Sequence, residues 1–148
     1  MYGSIVVGTD GSDTAKEAVR QAAELAKAVG ASVLLVSAYE PVPESRLRQE
    51  ASEVPTDVSW MVNPREDVQA VLDEEAERVK GVGVPDVETY AREGDPADAI
   101  LDVAEEKSAD LIVVGNKGMT GARRFLLGSV PNKVSHHAPC NVMIVRTT

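Results

Sequence analysis

Glycines near the carboxyl end of the chain have the spacing of a loop that could hold phosphate. Gly115-Asn116-Lys117-Gly118 is followed by nine residues and then by Gly128-Ser129. The apolar run at residues 111–114 is typical of a buried parallel strand, and glycines at its carboxyl end allow main-chain N–H groups to approach an anion. Ser129 would open a helix whose amino terminus adds donors and partial positive charge. The pattern predicts a cradle for a small anion.

The distribution of charge supports this interpretation. The chain carries 15 Lys and Arg against 24 Asp and Glu, a net charge of −9. No acidic residue follows Asp110, whereas five basic residues do: Lys117, Arg123, Arg124, Lys133 and Arg146. A basic segment in an acidic protein favours capture of a small anion, and the acidic remainder would repel a long nucleic acid. Each basic residue taken singly could also be an ordinary solvated side chain.

Length and composition predict one domain over residues 1–148. The chain has 148 residues, 43% of them hydrophobic, which suffices for one core and is short for two. No apolar run is long enough to span a membrane and the amino terminus lacks a signal-peptide pattern, so we expect a cytoplasmic protein. Cys140, the single cysteine, follows Pro139 and precedes an apolar strand, which favours a small core residue over a nucleophile.

Strand-like and helix-like segments alternate along the chain. Strands are predicted at residues 4–9, 32–39, 87–92, 111–114 and 141–145. Helices are predicted from Ala15 to Gly30, from an Asn63 cap with Pro64 at the first helical position, from Asp95, and from Ser129 to His137. Five strands joined by helical connections predict a parallel sheet with helices on both faces.

Two loops are predicted to meet at the carboxyl edge of this sheet. One is Thr9-Asp10-Gly11-Ser12 after the first strand, and the other begins at Gly115 after the fourth strand. Ligands of such folds bind beyond the strand ends, where the strand order reverses. In the order 3-2-1-4-5 the first and fourth strands are neighbours, so both loops would line one crevice.

Four ordered blocks of residues resemble the universal stress protein family. They are Val-Gly-Thr-Asp-Gly-Ser from Val7, Ala-Asp-Leu-Ile-Val-Val-Gly from Ala109, the Gly-x2-Gly-x9-Gly-Ser run, and Pro-Cys-Asn-Val-Met-Ile-Val from Pro139. The resemblance covers essentially the whole chain. It implies a Rossmann-like three-layer α/β/α sandwich of the adenine nucleotide alpha hydrolase type, with a five-stranded parallel sheet. Members with the full glycine motif bind ATP or another adenine nucleotide. Leu-Leu-Gly-Ser-Val-Pro also resembles members that bind cyclic AMP, so ATP, AMP and cyclic AMP all remain open.

The resemblance also implies roles for individual residues. The residues that would hold phosphates are Gly115, Gly118, Gly128 and Ser129, with neighbouring contacts from Asn116, Lys117 and Val130. Asp10, flanked by Thr9 and Gly11, would lie near ribose, phosphate or a bound Mg²⁺, although an Asp before a helix can also be its amino-terminal cap. The main chain of Ser37, Ala38 and Tyr39 would contact adenine.

Two classes of function remain open. The first is a stress-response regulator that senses or buffers adenine nucleotide. The second is a slow ATPase or a self-phosphorylating enzyme, for which only Asp10 and a few hydroxyls are available. A response-regulator receiver would need clustered carboxylates after the first strand, where Asp10 stands without a second carboxylate beside it. His136 and His137 are adjacent on a helix and point in different directions, which does not favour catalysis.

Two further expectations concern the surface. Residues 40–62 form a long connection, interpreted as either a lid over the nucleotide or a mobile loop, with Trp60 as a hydrophobic plug or a cover for the base. The fifth strand, Val142-Met143-Ile144-Val145, has no internal charge or proline and would lie at a sheet edge. The sequence therefore predicts a homodimer in which this strand pairs with its own copy.

Overall fold

A computed structural model describes residues 2–40, 64–116 and 129–147 of the chain. Their strands and helices alternate in the predicted order. The strands are β1 (Ser4–Gly8), β2 (Ser32–Tyr39), β3 (Val87–Glu93), β4 (Leu111–Gly115) and β5 (Asn141–Val145). The helices are α1 (Asp13–Val29), α2 (Pro64–Val82), α3 (Pro96–Glu106) and α4 (Ser129–His137). Most of the connection predicted as a lid or mobile loop, with Trp60, lies outside the described residues.

The five strands form one parallel sheet in the order β3-β2-β1-β4-β5. The predicted strand order is thereby confirmed. Val7 of β1 pairs with Leu35 of β2 on one side and with Val113 of β4 on the other. From the central strand β1, the chain adds β2 and β3 on one side of the sheet and then β4 and β5 on the other. The strand order therefore reverses at β1, whose carboxyl end is flanked by those of β2 and β4.

Both faces of the sheet are covered, because successive side chains of a strand point to opposite faces. Ile5 and Val7 face a core shared with α1 and α2, which contribute residues such as Ala22 and Leu72. Val6 faces a second core shared with α3 and α4, to which Ile100 belongs. These two cores make the three-layer α/β/α sandwich that the sequence predicts.

Local signals explain where the helices begin and end. Ser12 is the N-cap of α1 and its hydroxyl accepts a hydrogen bond from the Ala15 N–H at 3.2 Å. Gly30 ends the helix in the left-handed conformation at φ 73°, which a residue with a Cβ adopts only with strain. Asp95 is the N-cap of α3 and accepts from the Asp98 N–H at 3.0 Å. Helix α2 begins at Pro64, as predicted, whereas its expected cap Asn63 lies outside the described residues.

Candidate functional site

The carboxyl ends of β1 and β4 lie side by side, which brings the two predicted loops to one edge of the sheet. Val7 pairs with Val113, so Thr9 and Gly115 each lie two residues beyond this pair. The end of β2 is held on the other side, where the Thr9 N–H donates to the Val36 carbonyl at 2.9 Å. Residues from three separate strand ends therefore surround one position beyond β1.

The loop after β1 is fixed by the buried hydroxyl of Thr9. Thr9 is 0% exposed, and its Oγ1 donates to Oε1 of Glu75 at 3.1 Å. The same oxygen accepts from the Gly11 N–H at 3.1 Å. One hydroxyl thus links helix α2 to the turn that carries Asp10. The Thr9 side chain therefore faces the protein interior and stabilises the loop from within.

Asp10 is exposed at the tip of this loop. Its Oδ1 accepts a hydrogen bond from the Ser12 N–H at 2.9 Å, which closes a local turn around Gly11. The alternative interpretation of Asp10 as the amino-terminal cap of α1 is wrong, because Ser12 occupies that position. The turn presents an exposed carboxylate beside the amino terminus of α1.

Gly11 adopts a conformation that requires glycine. Its φ is 81°, and a Cβ built on it would lie 2.8 Å from Cγ1 of Val71 in α2. Both the positive φ and the closeness of α2 exclude a side chain here. Helix α2 therefore contacts this loop at two points one turn apart, Val71 against Gly11 and Glu75 against Thr9.

The residues expected near adenine lie at the end of β2. Ser37 is 4% exposed, whereas Ala38 and Tyr39 are half-buried. In the sheet Ser37 and Ala38 pair with Ala91 and Arg92 of β3. Their main chain lies on the β2 side of the candidate crevice, opposite the side formed by β4.

The described part of the glycine-rich loop is bound to the carboxyl-terminal segment. The Asn116 N–H donates to the Val145 carbonyl at 2.8 Å, and Asn116 Oδ1 accepts from Thr147 N at 2.9 Å and from Thr147 Oγ1 at 2.8 Å. Asn116 therefore fastens β4 to the chain after β5. Any contact from this side chain to a phosphate would come from its amide nitrogen, since the oxygen cannot donate.

Helix α4 begins at Ser129, which is exposed, and Val130 is buried at 4% in the second core. The nine-residue helix carries no acidic residue in its first turn, which suits a nearby anion. Lys117, Gly118 and Gly128 lie outside the described residues, as do Arg123 and Arg124. Their expected contacts with phosphate remain predictions.

One basic residue of the acid-free segment is paired with carboxylates. Lys133 Nζ lies 2.8 Å from Asp98 Oδ1 and 3.5 Å from Asp95 Oδ2, and these carboxylates raise the pKa of its ammonium group. The contact joins α4 to the first turn of α3. The charge of Lys133 is therefore offset by two carboxylates in an exposed ion pair.

One polar residue of this region, Glu75, was not predicted from the sequence. It is 1% exposed, and its Oε2 has no hydrogen-bond partner among the described residues. Burial raises the pKa of this carboxyl above its usual range, although the hydrogen bond from Thr9 acts in the opposite direction. The signal was present in the helical pattern, since Leu72, Ala76 and Val79 surround position 75 on the apolar stripe of α2.

The other candidate groups are dispersed. Within residues 2–40, 64–116 and 129–147, no three His, Cys, Asp or Glu side chains cluster as a metal site would require. His136 and His137 are exposed. Cys140 packs against the second core, and burial raises the pKa of its thiol, which disfavours the reactive thiolate. None of the helices in the described part of the chain is long and apolar enough to cross a membrane.

Comparison with known proteins identifies the family. The model of the universal stress protein family matches residues 1–146. The chain belongs to the universal stress protein family. It is 40% identical over 147 residues to universal stress protein Rv1636 of Mycobacterium tuberculosis, covering 99% of this chain and 98% of that protein.

Solved structures of universal stress proteins share the fold. A crystal structure of a universal stress protein in complex with cAMP is 35% identical, covers 99% of this chain and 98% of its own, and gives a TM-score of 0.73. The universal stress protein from Archaeoglobus fulgidus in complex with dAMP is 25% identical, covers 98% of each chain, and gives a TM-score of 0.70. Two relatives of this universal stress protein are therefore seen with adenine nucleotides that carry a single phosphate.

Proposed function

We propose that this universal stress protein binds an adenine nucleotide in the crevice beyond β1 and β4. The observation that carries the proposal is that the Thr9-Asp10-Gly11 loop and the chain at Gly115 emerge from adjacent strand ends. The amino terminus of α4 follows the second of these loops, and relatives of the same fold hold cAMP and dAMP. The adenine would lie against the main chain of Ser37 and Ala38, with phosphate between Gly115 and Ser129.

The residues present suit such a ligand. Gly115 and the start of α4 offer main-chain groups, and backbone N–H groups bind phosphate without needing a basic side chain. The N–H groups of Gly11 and Ser12 already donate to Thr9 and Asp10. Asp10 is exposed where a ribose hydroxyl or a Mg²⁺ held mainly by nucleotide phosphates could meet a carboxylate. In this proposal ATP, AMP and cyclic AMP compete for one site, and the preferred nucleotide depends on how many phosphates residues 117–128 accept.

The biological role that fits this site is regulatory. A domain that binds nucleotide through main-chain groups can sense or buffer the nucleotide and report it through conformation or association. We propose this role for a cytoplasmic homodimer in which β5 of each copy lies at the interface. Among the described residues β5 pairs only with β4, and Met143 and Ile144 are 36% and 39% exposed.

Nucleotide binding is tested by replacing a loop glycine. We expect wild-type protein to bind its preferred adenine nucleotide with micromolar affinity, about −8 kcal/mol. Gly118→Val should weaken this affinity by roughly tenfold or more, about 1.4 kcal/mol, because a branched side chain would occupy space needed by phosphate. Isothermal titration calorimetry with ATP, AMP and cyclic AMP measures both the affinity and the preference.

Gly81→Val is a matched control, because Gly81 lies in α2 and no packing neighbour comes within 4 Å of the position that a Cβ there would take. It should bind nucleotide like the wild type. Unchanged affinity of Gly118→Val would place the phosphate elsewhere, and a strong preference for a ligand without adenine would contradict the proposed function.

Turnover is expected to be slow or absent. Among the described residues the candidate crevice offers one exposed carboxylate, Asp10, whose Oδ1 already accepts a hydrogen bond from Ser12 N–H. Binding that does not favour the transition state does not accelerate chemistry. Phosphate release from ATP with Mg²⁺ should remain near the background rate in wild type and in Asp10→Asn. Fast release that Asp10→Asn abolishes would instead establish the alternative, an ATPase.

A further inference from the structure

Glu75 is an acidic residue at a buried position where an apolar side chain would be expected. It lies on the apolar stripe of α2, 1% exposed, and is one of the largest fully buried side chains of the described protein. A buried carboxyl with an unpartnered oxygen costs free energy relative to an apolar residue of similar size. Leucine would fit the pattern of Leu72, Ala76 and Val79 without that cost. What Glu75 provides that leucine cannot is an acceptor for the Thr9 hydroxyl.

This acceptor sets the direction of a two-step hydrogen-bond relay. Thr9 Oγ1 has one proton, which it donates to Glu75 Oε1 at 3.1 Å, and its lone pairs then face the Gly11 N–H, also at 3.1 Å. The first hydrogen bond joins residues that are 66 positions apart in the sequence, and the second joins residues that are two positions apart. Through Thr9, Glu75 therefore constrains the main chain at Gly11. It also constrains Asp10, which lies between Thr9 and Gly11 in the sequence.

A second contact makes the same connection. Val71 lies one turn before Glu75 on α2 and fills the space where Gly11 would carry a Cβ. Helix α2 thus holds the Asp10-Gly11 turn in two ways, by the apolar contact of Val71 and by the hydrogen bonds that link Glu75 to Gly11 through Thr9. A change in the charge or position of Glu75 acts directly on the turn that bears Asp10.

We infer that Glu75 is a positioning residue that holds the Asp10-Gly11 turn in its binding conformation through the Thr9 hydroxyl. The affinity part rests on the proposed function. The geometry supplies the reason: among the described residues Oε2 has no hydrogen-bond partner, so the Thr9 hydroxyl is the group that the carboxyl holds.

The charged groups around Glu75 come from three elements. Asp10 of the loop opposes ionisation, whereas Lys16 of α1 and Arg78 of α2 favour it, and burial outweighs both so that the pKa lies above its usual range. A cleft of about 290 Å³ between α1 and α2 has Glu75 on its wall, together with Asp13, Glu17 and Arg20.

The sign of the pH effect follows from the raised pKa. Folding favours the protonated carboxyl, so its contribution to stability is fully present below the ordinary value of 4.5 and is lost as pH rises through the pKa of the folded state. The hydrogen bond from Thr9 is instead stronger to the ionised carboxylate, because it lowers the pKa, so ionisation of Glu75 changes the relay to Gly11. Because the pKa lies above its ordinary value of 4.5, this change is expected above pH 4.5.

The first measurement follows the Gly11 amide by NMR in protein without nucleotide. We expect its chemical shift to titrate above pH 4.5 in the wild type, because the pKa of Glu75 is raised above that value. The titration should disappear in Glu75→Gln, which keeps an oxygen to accept from Thr9 and cannot ionise. It should persist in Glu77→Gln, a matched control that removes a carboxylate from an exposed position of the same helix. Identical titrations in wild type and Glu75→Gln would overturn the inference.

The second measurement is AMP affinity by calorimetry at fixed and varied pH. At the acidic end we expect Glu75→Ala to bind AMP roughly tenfold more weakly and Glu75→Gln to recover to within about threefold of wild type, since only the second retains the acceptor. The pH dependence of AMP binding should differ between wild type and Glu75→Gln, since only the wild-type side chain can ionise. Equal pH dependence in the two proteins, or no rescue by Gln, would contradict the link to the site.

The two measurements separate the two proposals. Wild-type protein that shows the Gly11 titration but binds no adenine nucleotide would refute the proposed function and the affinity link, while keeping Glu75 as the residue that positions the turn. Wild-type protein that binds AMP while Gly11 fails to titrate would keep the proposed function and refute the role of Glu75. If Glu75→Ala does not fold, Glu75→Gln and Glu77→Gln still decide the outcome.

Discussion

Gly11→Ala is expected to lower the free energy of unfolding by about 2 to 4 kcal/mol. Two effects combine at this position. The φ of 81° strains any residue with a Cβ, and that Cβ would meet Val71 Cγ1 at 2.8 Å. Urea unfolding at one fixed protein concentration measures the change, since association would otherwise shift the transition.

Gly30→Ala separates the two effects. Gly30 has a similar φ of 73°, but nothing lies within 4 Å of the position its Cβ would take. It should lose only the conformational part, about 1 to 2 kcal/mol. Equal losses at Gly11 and Gly30 would show that the contact with α2 carries no energy.

A double-mutant cycle then isolates the contact. With Val71→Ala, the remaining Cβ of residue 71 would be 3.7 Å from a Cβ at position 11, which is ordinary contact. Gly11→Ala should therefore cost about 1 to 2 kcal/mol less in the Val71→Ala background than in wild type. Strict additivity would contradict the packing of α2 against the loop.

The fold could be predicted because its signals are local. The strands are short apolar runs, and their boundaries are marked by residues whose chemistry ends or begins an element, such as Gly30 after α1 and Pro64 at the start of α2. The strand order needed one more step, the requirement that the two loops predicted to bind a ligand meet at adjacent strand ends. The confirmed pairing of β1 with β4 satisfies that requirement.

The site was less predictable, because its contacts join distant parts of the chain. Asn116 had the residue type and position expected of a phosphate contact, yet its oxygen accepts from Thr147, 31 residues away. Lys133 had the charge expected of an anion site and instead contacts Asp95 and Asp98. A sequence pattern indicates which groups are available, whereas the partner of each group is decided by packing.

Glu75 is another residue whose contacts could not be predicted from the sequence. An acidic residue on an apolar helical stripe is visible in the sequence, but the pattern gives no partner for it, and a charged residue near the edge of a stripe usually reaches solvent. Only the fold brings it to Thr9. An acidic residue within the apolar pattern of a core helix therefore indicates a buried contact, since burying an acid costs free energy that some partner must compensate.

The second large effect is expected at the edge of the sheet. Ile144→Lys should weaken homodimer association by roughly 100-fold or more, about 2.7 kcal/mol. In an interface with two-fold symmetry the substitution occurs twice, so two charges would be brought into one apolar contact. Sedimentation velocity or light scattering over a series of protein concentrations measures the dissociation constant.

The physical argument rests on what β5 leaves uncovered. Within the described residues its hydrogen-bonding partner is β4 on one side, and Met143 and Ile144 are the large hydrophobic residues that are exposed. Edge strands without lysine, proline or a bulge tend to pair with another strand, and a second copy placed antiparallel would satisfy both edges in one closed interface. Ala70→Lys adds the same charge at an exposed position of α2 and should leave the dimer intact. A wild-type protein that stays monomeric at every concentration tested would rule out this interface, and a dimer that survives Ile144→Lys unchanged would place the contact on another surface.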